Sequence, residues 1–323
     1  MFHRPRRLRA NSTIRSLVQE TRLCINDLIH PIFIKEGCEV KKPIASMEGH
    51  YQLGLDDLDK EIIEIKKLGI KAVLLFGVPK QKDEIGSSSY KEDGIIQQSI
   101  KHIKSHYPEI LVIADVCLCE YTDHGHCGII KGQDVHNDKT LDHLAKQAIS
   151  YAKAGVDIVA PSAMMDGMVL ALRDALDENG FENTPIMSYS VKYASNMYGP
   201  FREAAEGAPK FGDRKTYQMD YANSNEALRE AALDIDEGTD FLMVKPAHTY
   251  LDIIYKLKQN FPEMPLVAYH TSGEFAMIKA LAKNGMVKEI EAVLEVTTAI
   301  KRAGANLIIS YFAKDLAKHL KNQ

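Results

Sequence analysis

The chain is short of the features that mark several large protein classes. None of its apolar runs approaches the ~20 residues needed to cross a bilayer as a helix. The basic start, Arg4-Pro5-Arg6-Arg7-Leu8-Arg9, is not followed by an apolar stretch of secretory-signal length. A formal net charge of −4 gives no basic excess for a nucleic-acid backbone or an anionic membrane surface. No Gly-x-Gly-x-x-Gly follows a strand-like run, which weakens a dinucleotide-binding open sheet. There are only five cysteines, an odd number, and this is poor material for a disulfide framework. A reducing cytoplasm is the expected location, because it leaves thiols free.

Three of the five cysteines lie within eleven residues, as Cys117, Cys119 and Cys127, with His124 and His126 between them. Cys24 and Cys38 stand apart. The cluster follows an apolar run, Ile110–Ala114. Thiolates at this spacing suit zinc, and three of them leave a tetrahedral fourth position open, as in catalytic sites. A closed structural site, completed by His124 or His126, fits the same spacing.

Eight short runs rich in Val, Ile and Leu read as strands near residues 28–34, 71–76, 110–115, 156–160, 186–190, 241–245, 266–270 and 307–311. Amphipathic stretches separate them, such as Ile62, Ile65 and Leu68, or Leu251, Ile254 and Leu257. Eight alternations in 323 residues predict a (β/α)8 TIM barrel over 28–323, preceded by an extended N-terminal arm over 1–27 that packs on a neighbouring subunit. One connection, about 195–222, is too long for an ordinary loop. It carries Arg202, Lys210, Arg214 and Lys215, and it reads as an active-site lid.

A barrel of this kind places its active site at the C-terminal ends of the strands. Those ends hold Asp115, Ser162, Lys192, Lys245, Ser272 and Tyr311. An isolated lysine leaving a strand is ordinarily solvated. Two lysines closing successive strands repel each other, and burial lowers the pKa further, so a neutral amine becomes available for imine formation. Asp115 is placed to assist proton transfers, and Ser162 is counted with the substrate-binding hydroxyls. Arg202 and Arg214 are either a solvated loop or a carboxylate clamp.

With these residues assembled, the chain resembles the porphobilinogen synthase (5-aminolevulinate dehydratase) family, and its zinc-dependent type in particular. The resemblance runs nearly end to end. It is carried by Leu74-Leu75-Phe76-Gly77-Val78-Pro79, Asp115-Val116-Cys117-Leu118-Cys119, His124-Gly125-His126-Cys127-Gly128, Met187-Ser188-Tyr189-Ser190-Val191-Lys192, Tyr198-Gly199-Pro200-Phe201-Arg202, Phe211-Gly212-Asp213-Arg214-Lys215 and Met243-Val244-Lys245-Pro246. It implies condensation of two 5-aminolevulinate molecules to porphobilinogen with loss of two waters, in tetrapyrrole and haem synthesis, by a barrel enzyme assembled as a homo-octamer. By position, Lys192 matches the lysine of the A-side substrate and Lys245 that of the P-side substrate. Arg202 and Arg214, with Gln218 nearby, match the A-side carboxylate binders, and Ser272 and Tyr311 the P-side ones. Cys117, Cys119 and Cys127 match the zinc ligands, and Glu230 a glutamate that holds an allosteric magnesium. The chain departs from many members at Ala163 and Met168, where an acid and an arginine are common. A single-substrate Schiff-base aldolase and a non-enzymatic zinc protein with a closed Cys3His site are the rival readings.

Overall fold

The computed structural model describes residues 2–37 and 41–322; Cys38 lies outside them. Eight parallel strands form the barrel: β1 (Leu28–Lys35), β2 (Ala72–Val78), β3 (Leu111–Val116), β4 (Ile158–Pro161), β5 (Met187–Lys192), β6 (Phe241–Lys245), β7 (Leu266–His270) and β8 (Leu307–Ser310). Hydrogen-bonded neighbours run β4-β3-β2-β1-β8-β7-β6-β5. The ring is completed by one isolated parallel bridge, Val159 to Ile186, with the Val159 amide donating to the Pro185 carbonyl at 3.1 Å. All eight expected strands are present, with ends shifted by one or two residues.

The strands are apolar because both faces are covered, one by barrel interior and one by helices. Every residue of β1 from Leu28 to Ile34 is buried, and so is the whole of β5. The outer helices follow their periodicity. In the helix Leu55–Leu68, Leu58, Ile62 and Ile65 face inward, with Asp56 and Asp57 in the first turn and Lys66 and Lys67 in the last, matching the helix dipole. Ile62 and Ile65 are fully buried, so truncating either to alanine costs roughly 2–5 kcal/mol.

A short ribbon, Lys42–Pro43 with Tyr51–Leu53, adds to the edge of β1 above the barrel. Among the described residues, no side chain before Asp27 is buried, and the short helix Ser12–Leu17 buries none of its residues. Ala163 and Met168 are both buried, so neither charge of the commoner pattern has an exposed place here. Among the described residues, no helix is long and apolar enough to cross a membrane.

Candidate active site

The two lysines meet through strand register. Lys192 and Lys245 are Cα partners at the ends of β5 and β6. The pairing depends on an irregularity: Leu242 faces Ser188, but Val244 faces Val191, so β5 holds one extra residue. An insertion of this kind is a β-bulge. Without it Lys245 would lie opposite Val191, and a one-residue slip turns side chains to the other face. The bulge therefore brings both amines to the same side of the sheet.

Both lysines are buried and line one small cavity with Asp115, Ser162, Cys119 and Arg214. The Lys192 ammonium donates to the Ser162 carbonyl at 2.5 Å. Lys245 Nζ sits in an aromatic cage, 4.1 Å from the ring centre of Tyr269, 4.9 Å from Phe201 and 5.1 Å from Tyr189. Aromatic faces favour the ammonium by ~0.5–2 kcal/mol. Burial and the charge of Lys192 act the other way and prevail, lowering the Lys245 pKa to about 7. Near neutrality Lys245 thus has a large amine fraction.

Asp115 lies at the end of β3. Its Oδ2 accepts from Ser162 Oγ at 2.9 Å. Burial raises its pKa against the pull of the two lysines. Glu120 also lines the cavity, and burial and Asp115 push its pKa up to about 7. Sequence reasoning missed Glu120, because an acid between Cys119 and Tyr121 carries no local sign of burial.

The three cysteine sulfurs gather at one point, all within 4.8 Å of one another, with Cys117 and Cys119 Sγ 3.4 Å apart. Burial pushes the Cys117 thiol up, while hydrogen bonds from Cys117 and Cys119 hold Cys127 well below the ordinary range. The set is buried, soft and compact, which fits a thiophilic metal ion. Neither histidine joins it. His126 places Nδ1 3.0 Å from the Tyr217 hydroxyl and Nε2 2.9 Å from the Phe211 carbonyl. His124 contacts the Glu84 carbonyl through Nε2, and its Nδ1 accepts from the His126 amide. The histidine rings thus hold the lid and the cysteine loop, and neither closes the sulfur cluster; the nearest carboxylates, Asp115 and Glu120, each place an oxygen within 4.8 Å of Cys117 Sγ.

The connection at 195–222 folds over the mouth as a short 3-10 turn, a helix Gly199–Ala204 and an irregular return. Phe201 donates its amide to Ser272 Oγ at 2.9 Å. Arg214 Nη2 donates to the Gly125 and Gly207 carbonyls at 2.8 and 2.6 Å. Two glycines permit the close approach. A Cβ on Gly273 would lie 2.6 Å from the Met197 carbonyl, and one on Gly125, at φ +74°, 2.2 Å from that of Ala208. The Nε atoms of Arg202 and Arg214 are buried without partners among the described residues. Unmet donors on two guanidiniums at one cavity suit a bound anion.

Other expected residues lie further out. Ser272 opens the helix Ser272–Lys283, where Thr271 and Glu274 form a capping box. Glu274 also accepts from the Ala247 and His248 amides, tying the β6 loop to the β7 loop. Tyr311 is buried beside Tyr269, with hydroxyls 3.0 Å apart. Neither Ser272 nor Tyr311 lines the cavity with the lid down. Gln218 is buried, with Nε2 unpartnered, and borders a separate outer pocket that also holds Glu230. Burial and the charges of Asp166, Asp234 and Glu226 push Glu230 up to about 7.

Comparison with known proteins agrees with this geometry. The family model described as delta-aminolevulinic acid dehydratase matches residues 2–319. The delta-aminolevulinic acid dehydratase of Bacillus subtilis is 56% identical over 319 residues, covering 99% of this chain and 98% of that one. The enzyme of the same name from Halalkalibacterium halodurans is 57% identical, covering 100% and 98%. A crystal structure of the Toxoplasma gondii enzyme in complex with the reaction product porphobilinogen superposes with a TM-score of 0.96 at 45% identity, covering 99% of this chain and 92% of that one. A closed β/α barrel with two paired lysines at its mouth, matched end to end by such relatives, belongs to the delta-aminolevulinic acid dehydratase family.

Proposed function

We propose that the chain performs its family's hydro-lyase reaction by holding two 5-aminolevulinate molecules as imines, one on Lys245 (P-side) and one on Lys192 (A-side). The observation that carries this reading is the in-register pair of buried amines, one of them with a pKa near neutrality. Lys245 attacks the P-side ketone as the free amine. Each imine expels one water, which accounts for both waters lost. Formation of the carbon–carbon and ring carbon–nitrogen bonds then returns both lysines as amines. Asp115 and Glu120 are the carboxyl groups near enough to move protons within the closed cavity. Holding both substrates makes a bimolecular condensation local.

Arg202 and Arg214 bind the A-side carboxylate with Gln218 nearby, Ser162 contributes a hydroxyl, and Ser272 and Tyr311 take the P-side carboxylate once the lid has moved. Cys117, Cys119 and Cys127 would hold zinc. A zinc ion there would supply Lewis acidity and orient the A-side amine. Glu230, with its acidic neighbours, is the proposed magnesium position. The arm at 1–27 and a homo-octameric assembly complete the reading, with the cytoplasm as its location.

The test is colorimetric detection of porphobilinogen from purified protein and 5-aminolevulinate, with and without a chelator. Borohydride trapping in Lys245→Ala and Lys192→Ala separates the two imines. Undiminished synthesis by the Lys245→Ala variant would sink the assignment. An aldolase or a purely structural zinc protein would give no porphobilinogen at all.

A further inference from the structure

We propose that Glu206 is a positioning residue whose carboxylate latches the lid to the barrel rim and so holds Arg202 and Arg214 over the cavity. The inference rests on the substrate reading above. Glu206 lies just beyond the lid helix Gly199–Ala204 and has φ +50°, a left-handed conformation uncommon for a residue with a Cβ. Such a backbone persists where surrounding bonds over-determine it. Here they do. Glu206 Oε1 accepts from Lys35 at the end of β1 and from Gln52 Nε2 at 3.2 Å, and Lys42 Nζ lies 3.7 Å away. Lys82, in the loop after β2, donates to the Glu206 carbonyl at 2.6 Å.

Three separate parts of the rim thus converge on one residue. Gln52 also donates to the Ala204 carbonyl at 2.7 Å, so the grip extends to the helix end. From there the chain leads straight to the arginines. The Gly207 amide donates to the Arg202 carbonyl at 3.2 Å, and the Gly207 carbonyl accepts from Arg214. A shift of residues 204–207 therefore moves both guanidiniums. The carboxylate also suits its neighbours in charge, since Lys35, Lys42 and Lys82 would repel one another without it. Its side chain is 35% exposed and lies outside the lysine cavity, so it touches no reacting atom.

The experiment uses the full chain with 5-aminolevulinate and compares Glu206→Gln with Glu206→Gly. The glutamine keeps the shape and removes the charge. The glycine removes every side-chain tie and relieves the backbone. A latch raises KM roughly three- to tenfold in both, the size expected for a partly buried ion pair, with kcat within about twofold and the melting temperature unchanged. Tryptic cleavage after Lys210 or Lys215 accelerates in both variants. Wild-type KM and wild-type cleavage rates in both would overturn the latch. So would equal losses in kcat and thermal stability with no change in KM. If the wild-type protein makes no porphobilinogen, the substrate reading fails, while faster lid cleavage in the variants still supports the latch.

Discussion

The strand ends and the lid hold the site's charged groups by opposite means. Lys192, Lys245 and Asp115 sit on backbone fixed by sheet register and surrounded by core. Arg202 and Arg214 sit on a connection held by individual bonds to carbonyls, a serine hydroxyl and a rim of lysines. Groups of the first kind are held by the barrel itself. Those of the second keep their place only while several weak ties hold together. On the proposed mechanism, bond making would belong to the strands and substrate retention to the lid.

Substitutions sharpen that contrast. The largest effect is expected at Lys245: alanine there lowers kcat by about 10⁴-fold or more, as loss of a nucleophile does. Because the buried amine is held far from its ordinary pKa, Lys245→Met should also raise the melting temperature, measured by calorimetry. The unfolded chain binds the extra proton between about pH 7 and the ordinary lysine range, so the wild-type protein gains stability as pH rises through that window. The methionine variant lacks that slope.

Next in size is the sulfur cluster. Replacing Cys117, Cys119 and Cys127 together by alanine should abolish thiol-bound zinc, measured by metal analysis, and lower activity by ~10²-fold or more. Full activity in the triple variant would remove the metal from the chemistry. At the lid, Arg214→Ala and Arg202→Ala should raise KM by about 10- to 100-fold, the worth of a charge-assisted hydrogen bond to a carboxylate. Lysine at position 214 should rescue little, because it cannot span the two carbonyls and a carboxylate together. Equal falls in kcat at the arginines and at Lys245 would break the division between strands and lid. The smallest expected effect is in pH: imine trapping at Lys245 should increase as pH rises through about 7 and fade below it.

Most of the barrel was legible in the sequence because a strand covered on both faces has an unbroken apolar run, and eight such runs stand clear of their helices. Lys245 was legible for the same reason, as a charge at the end of the apolar run Phe241–Val244, and Lys192 as the lysine closing the strand before it. The bulge in β5 was not, since Met187-Ser188-Tyr189-Ser190-Val191 reads equally well with or without an extra residue. Cysteine spacing showed that a metal site was feasible but could not tell which way the rings of His124 and His126 turn. That depended on Phe211, Tyr217 and Glu84, far away in the chain. Glu120 and Glu206 were invisible for a related reason. The role of each comes from partners that only the folded chain supplies.

The single bridge that completes the barrel has a mechanical consequence. Between Val159 and Ile186 the wall is a zip with one tooth, where β1 and β2 share seven register pairs. The chain above that gap is fastened by Lys192 Nζ on the Ser162 carbonyl, so the nitrogen proposed to receive the A-side substrate also clamps the seam. Each turnover would then unfasten and refasten the wall at its thinnest point. Amide hydrogens of residues 158–160 and 186–188 should exchange with deuterium sooner than those of 72–78, and exchange there should change when Lys192 is trapped as an imine.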